Sequence, residues 1–166
     1  HPGLNRARYV MTDLDEESLK QIKNKEKLGG VVQATSYVLP FQEQAFDVVL
    51  SHAHLEHLPY LDHGLEEVRR VLKPEGRFIA SVPNEGGLFW SRGRDMSSAR
   101  HFSRRLGIDY IRANRIDHFN TVYQIDRALR RYFRVEKRVF FPFFWPSFHF
   151  NLTTTYVLRP LVPARV

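Results

Sequence analysis

The sequence contains no cysteine and only two methionines among its 166 residues. Without cysteine there is no disulfide scaffold, no cysteine-ligated zinc site and no thiol nucleophile. The same absence fits a reducing compartment, and a cytoplasmic location is the expectation. No apolar run approaches the ~20 residues that a membrane-spanning helix needs, and the first residues lack the apolar core of a signal peptide. Internal repeats and low-complexity tracts are also missing. What is present is apolar and aromatic: 43% of residues are hydrophobic, with 13 Phe, 7 Tyr and 2 Trp. So many rings exclude disorder as the dominant state. A chain of this size suits one domain and buries roughly two-thirds of its unfolded surface.

The net charge of +7 is unevenly spread. Residues 1–90 carry 10 Lys/Arg against 13 Asp/Glu, whereas residues 91–140 carry 13 against 5. Arg92, Arg94, Arg100, Arg104, Arg105, Arg112, Arg115, Arg127, Arg130, Arg131 and Arg134 occupy a stretch with no lysine at all. Guanidinium groups bind phosphate and carboxylate through a planar fork, so an anionic partner is one reading. A solvated helical surface is the other.

Short apolar segments alternate with amphipathic ones. Residues 7–12 read as a strand ended by Asp13. Asp15 caps a following helix, with Glu16 and Glu17 in its first turn, and that helix is expected to stop at Gly29-Gly30. Residues 31–34 form a second strand. Residues 46–51 form a third, of the kind buried on both faces. Leu61, Leu65, Val68 and Leu72 recur at helical spacing, and Lys73-Pro74-Glu75-Gly76 is expected to end that helix. Residues 78–82 make a fourth strand. Strands joined by helices call for right-handed crossovers and a parallel sheet. The tail differs, because 133–140 and 152–158 are both strand-like with only a loop between them. They should pair antiparallel. The expected fold class is therefore α/β, a Rossmann-like doubly wound, mostly parallel sheet with a C-terminal antiparallel hairpin.

In such a sheet, ligands bind at the C-terminal ends of the strands. That rule selects Asp13, the turn Ala34-Thr35-Ser36, the stretch from Ser51 to His57, and Pro83-Asn84-Glu85. Asp13 can accept two hydrogen bonds from ribose hydroxyls, and Asp15 already supplies the helix cap.

Thr12-Asp13-Leu14-Asp15, Leu39-Pro40-Phe41, Ala45-Phe46-Asp47-Val48-Val49, Leu55-Glu56-His57-Leu58 and Val71-Leu72-Lys73-Pro74-Glu75-Gly76-Arg77-Phe78 fall in one order and at one spacing. Together they resemble the class I S-adenosylmethionine-dependent methyltransferases, in the branch with quinone-biosynthesis and "type 11" enzymes. The likeness covers residues 7–84. It resumes at His118-Phe119 and over residues 124–135, which are similar to the family's last helix and sixth strand. The resemblance implies that S-adenosylmethionine is the cofactor. It also implies that Asp13 holds its ribose, that Leu14 packs on the adenine and that Ala34, Thr35 and Ser36 meet the adenine edge. Ser51 and His52 are implied to lie near the methionine part. Two departures stand out: Thr35 replaces the family's usual Asp, and no G-x-G turn occurs anywhere. The family's first strand and glycine-rich turn would precede His1, so the chain is expected to be incomplete at its N-terminus.

Methyl transfer from a sulfonium is an in-line displacement helped chiefly by alignment, with a base where the acceptor must lose a proton. Glu56, His57 and His118 are the candidate catalytic groups. A helix beginning near His54 would point Glu56 and His57 together, or the pair would serve helix-end backbone groups. Some relatives bind a metal through E-x-x-E-H here. Ala53 replaces the first Glu, and no metal is expected.

Residues 85–120 are too long for a plain link and read as an insert or lid over the substrate side. Residues 140–150 hold seven aromatic rings in eleven positions. They read as a packed hairpin, a homodimer surface, or a peripheral membrane contact beside basic residues. The primary functional expectation is methyl transfer to an anionic small-molecule, lipid or glycan acceptor. The alternatives are an inactive methyltransferase-like binding module and, ranked last, an RNA-modifying protein, since no RNA-recognition signature accompanies the arginines.

Overall fold

A computed structural model describes residues 9–23, 28–96 and 117–161. The element order is β1 (Tyr9–Asp13), α1 (Glu16–Lys23), β2 (Leu28–Gln33), β3 (Phe46–His52), a 3-10 turn (Leu55–His57), α2 (Leu61–Val71), β4 (Leu72–Pro83), α3 (Leu88–Met96), α4 (Val122–Tyr132), β5 (Phe133–Phe141) and β6 (Thr153–Pro160). The chain divides into two compact units, His1–Phe41 and Gln42–Val166.

In the first unit, β1 and β2 pair in parallel, with Asp13 opposite Gln33. The crossover helix starts where its sequence says it should. The Asp15 carboxylate accepts from the Ser18 amide at 3.0 Å and the Ser18 hydroxyl at 2.6 Å, which satisfies helix-end donors that have no internal partner. These hydrogen bonds hold the Asp15 carboxyl below its usual range. Leu19 is buried at 6% exposure. Gly29-Gly30 does not end α1, which stops at Lys23. Both glycines lie inside β2, where backbone pairing places Val10 opposite Gly30.

The second unit is built on a four-stranded sheet in the order β3-β4-β6-β5. The β3–β4 pair is parallel, and the β4–β6 and β5–β6 pairs are antiparallel. The mixed α/β sheet with a terminal antiparallel hairpin is thus as the alternation implied. Helix α4 has a full capping box: the Thr121 hydroxyl accepts from the Gln124 amide, and the Gln124 side chain accepts from the Thr121 amide at 2.8 Å. Its buried Val122, Ile125, Ala128 and Leu129 follow helical spacing and turn inward. Helices α2 and α4 pack together, and Arg131 binds both oxygens of Asp62 across them at 2.6 and 2.9 Å. Phe78 of β4 and Phe133 of β5 meet in the core with ring centres 5.3 Å apart.

Two local expectations differ from the structure. Residues 73–76, read as a helix stop, belong to β4, whose pairing with β3 jumps from Phe46–Leu72 to Val48–Arg77. Helix α2 ends at Val71 and the strand begins at once, with the extra residues absorbed as an irregularity. Gly76 is required there, because a Cβ would lie 2.9 Å from the Lys73 carbonyl. Strand β3 is not buried on both faces, since Val48 and Leu50 are 48% and 66% exposed. Among the described residues it pairs on one edge only, with β4.

Candidate active site

Because β3 and β4 run parallel, His52 and Pro83 end at the same side of the sheet. The antiparallel partners bring the end of β5 and the start of β6 to that side too. The site residues of the second unit gather there.

The turn after β3 is tight. Ala53 has φ +45°, a left-handed conformation uncommon for a residue with a Cβ, and its amide donates to the Ser81 carbonyl at 2.9 Å. The expected helix at His54 is instead a three-residue 3-10 turn, Leu55–His57. Glu56 and His57 therefore share no helix face. Glu56 is buried at 1% exposure, while the His57 side chain is 41% exposed. The His57 Nε2 still lies 3.9 Å from Glu56 Oε1, and Glu56 Oε2 is buried without a hydrogen-bond partner. Burial pushes the Glu56 carboxyl up from its ordinary value.

A loop ahead of α4 clasps this turn. The amides of Phe119 and Asn120 donate to the Glu56 carbonyl, and the Asn120 side chain donates to the carbonyls of Leu55 and Leu58 at 3.1 and 2.6 Å. The clasp brings His118 edge-to-face against His57, with ring centres 4.5 Å apart. His57 Nδ1 donates to the Asp117 carbonyl at 2.9 Å, since a carbonyl only accepts. His118 Nδ1 is hydrogen-bonded to Glu85 Oε2, and both side chains are about 15% exposed. Trp90 of α3 stands beside His118 at 6.3 Å between ring centres.

The sequence singled out His118 without its partner. Glu85 lies 33 positions away, and the sequence offers it only as part of a strand end. A carboxylate on Nδ1 keeps that nitrogen protonated and leaves Nε2 as the acceptor, the arrangement that makes an imidazole a directed base. A cleft of about 430 Å³ between the starts of α2 and α4, lined by Tyr60, His63, Asn120, Arg127 and Arg131, reaches Asn120 but not His118.

The residues expected at the cofactor are placed as follows. Asp13 ends β1 and accepts from the Asp15 amide through Oδ1 at 3.0 Å, while Oδ2 has no hydrogen bond among the described residues. Leu14 is 65% exposed beside it. Ala34, Thr35 and Ser36 form a turn after β2, closed by a Thr35–Val38 bridge, and the Thr35 hydroxyl accepts from the Tyr37 amide at 3.4 Å. Ser51 and His52 end β3, and the Ser51 hydroxyl is buried without a partner. In the first unit the exposed Asp13 carboxylate oxygen suits a ribose diol of S-adenosylmethionine, and in the second unit the orphaned Ser51 hydroxyl can serve a polar ligand group. Of the 85–120 insert, α3 is described, and residues 97–116, with Arg100, Arg104, Arg105, Arg112 and Arg115, lie outside the described residues.

Residues 2–80 match the family model described as a methyltransferase domain. Over 142 residues the chain is 30% identical to a phthiotriol/phenolphthiotriol dimycocerosates methyltransferase of Mycobacterium tuberculosis, covering 82% of this chain and 53% of that protein. It is 34% identical over 83 residues to the mitochondrial 2-methoxy-6-polyprenyl-1,4-benzoquinol methylase of Pongo abelii, covering 46% of this chain and 25% of that protein. A mitochondrial arginine-hydroxylase of Danio rerio is 35% identical over 75 residues, 45% of this chain and 23% of that protein. The chain thus spans about a quarter to a half of the length of these curated relatives. Among solved structures, an S-adenosylmethionine-dependent methyltransferase of Mesorhizobium loti superposes with a TM-score of 0.64 at 19% identity, over 92% of this chain and 81% of that one. The matched segment is similar to a methyltransferase domain, and the fold is that of the S-adenosylmethionine-dependent methyltransferases among the solved structures.

Proposed function

We propose that the protein transfers a methyl group to a small-molecule, lipid or glycan acceptor with an anionic part. The observation that carries the reading is Asp13, a carboxylate at the C-terminal end of β1 with one oxygen spent on the Asp15 amide and the other open. That is the acceptor a ribose diol needs. In the first unit Asp13 holds the ribose, and Leu14 and the turn Ala34-Thr35-Ser36 flank the adenine. The bound cofactor supplies an electrophilic methyl group on sulfur.

The chain's own contribution to the chemistry is proton handling and orientation. His118 Nε2 removes the acceptor's proton, and Glu85 fixes the ring so that Nε2 is the free nitrogen. His57 braces the His118 ring edge-on. Glu56, buried beneath them, sets the electrostatics of the pair without touching the acceptor. Helix α3 forms the wall on the acceptor side through Trp90. Calorimetry with S-adenosylmethionine tests the reading. Binding by the unaltered protein, lost in Asp13→Ala, is the expected result, and equal affinity in both overturns the ribose assignment.

A further inference from the structure

We infer that the loop between β5 and β6, together with the start of α3, is a docking surface for an anionic lipid bilayer. It rests on the methyl-transfer reading only for its purpose, which is delivery of a lipid-borne acceptor to the face where His118 lies. The surface is apolar and exposed. Phe144 is 96% exposed, Trp145 71%, Phe141 63% and Phe143 50%. Phe89 of α3 packs edge-to-face against Phe143 and Phe150, at 6.2 and 5.5 Å between ring centres, so helix and loop present one continuous patch.

The patch is built, not floppy. Asn151 is fully buried: its side chain donates to the carbonyls of Trp145 and Ser147 at 2.8 and 2.9 Å and accepts from the Phe143 amide at 2.8 Å. Its own carbonyl accepts from Asn84, which in turn accepts from Thr154. A network that holds aromatic rings outward is the opposite of what a loop packed for stability shows. Large rings kept in water are matched by the interfacial layer of a membrane, where Trp and Phe partition favourably.

Charge selects the bilayer over a second copy of the chain. From Lys137 to Thr153, through the end of β5 and the loop into β6, there is no Asp or Glu, while Lys137 and Arg138 are basic. Lys137, Val139 and Phe141 lie on one exposed face of β5 leading into the loop. Lys137 and, on α3, Arg92 make no ion pair among the described residues. Arg138 and Arg159, in contrast, are held by Asp126, Glu136 and Glu75. Two copies meeting through such a patch would oppose positive charge to positive charge, whereas an anionic headgroup layer is complementary. No helix of the described chain is long and apolar enough to cross a membrane, so the contact is peripheral.

Sedimentation of the full chain with phosphatidylcholine vesicles containing phosphatidylglycerol, against phosphatidylcholine alone, is the test. The anionic vesicles should bind it, and Phe144→Ser with Trp145→Ser should weaken binding at least about tenfold. Lys137→Glu should weaken it about fivefold, with the effect erased by high salt. In a Trp90→Phe background Trp145 is the sole tryptophan, and its emission should shift to the blue on binding, a readout that needs no folded variant of the loop. Absence of binding, binding indifferent to these substitutions, or no shift at Trp145 overturns the proposal. So does light scattering that shows a dimer abolished by the double substitution. Vesicle binding is read without cofactor or turnover, so its failure and that of the methyl-transfer reading are separable.

Discussion

His118 and Glu85 are 33 residues apart in sequence and share a hydrogen bond between Nδ1 and Oε2. The contact exists because β4 delivers Glu85 to the end of the sheet and the loop ahead of α4 returns there, the Val122 amide donating to the Glu85 carbonyl at 3.1 Å. Under the proposed proton-transfer role, removing His118 should cost turnover and spare the fold. His118→Asn is expected to lower kcat about 10²- to 10⁴-fold, with cofactor affinity unchanged. Glu85 acts through His118, so Glu85→Ala should lower kcat roughly tenfold or more at constant KM, and Glu85→Gln, which still accepts from Nδ1, should recover part of it. Steady-state kinetics on both substitutions decides the roles.

Asp13 and Asp15 sit two residues apart and do different work. Asp15→Ala removes a helix cap and should lower stability by about 1 kcal/mol in urea unfolding. Asp13→Ala should leave stability nearly untouched and weaken S-adenosylmethionine binding about 10- to 100-fold, the loss of hydrogen bonds to a charged group. Calorimetry and urea unfolding on both variants give the two-by-two comparison.

The buried Glu56 carboxyl makes stability pH-dependent with a definite sign. Its ordinary value is 4.5, and burial raises it in the folded state. The folded protein therefore holds the proton more tightly than the unfolded chain does. The contribution to stability is fully present below pH 4.5 and is lost as pH rises through the higher folded value. Glu56→Gln, which stays neutral, should flatten that part of the curve and leave the protein more stable than the parent above the window. Urea unfolding across a pH series reads the slope directly.

Asn151 carries three side-chain hydrogen bonds inside the loop before β6. Asn151→Ala leaves one buried amide and two carbonyls to find new partners, and should destabilise the second unit by about 2–4 kcal/mol. Asn151→Asp, which sets a buried carboxylate against the Trp145 and Ser147 carbonyls, should destabilise at least as much. Hydrogen exchange at the Phe143 amide would localise the change.

What the sequence made legible was set by range. Strand–helix alternation, the Asp15 cap and the antiparallel β5–β6 pair are local or periodic, and they were readable from residue type and spacing. The errors are tertiary. Gly29-Gly30 looked like a helix stop but serves β2, because pairing with β1 uses the backbone and ignores side chains. Residues 73–76 read as the end of α2, which does stop at Val71, but they also run into β4, because Phe46 pairs with Leu72 before the register jumps. Residue types alone put Glu56 and His57 on one helix face. Instead the clasp by Phe119 and Asn120, more than sixty positions on, holds the chain in a 3-10 turn and buries Glu56. The His118–Glu85 contact was half visible for the same reason. A histidine can be noticed in isolation, but its partner is assigned by strand order.

Gly87 has no side chain, and a Cβ there would lie 2.3 Å from the Phe148 carbonyl, while the Phe89 amide donates to the His149 carbonyl. The start of α3 and the aromatic loop are thus riveted backbone to backbone, three residues before Trp90 turns toward His118. This junction ties the exposed tip at Phe144 to the segment that carries Trp90, so under the bilayer proposal the lipid contact and the wall beside His118 belong to one joined helix start and loop.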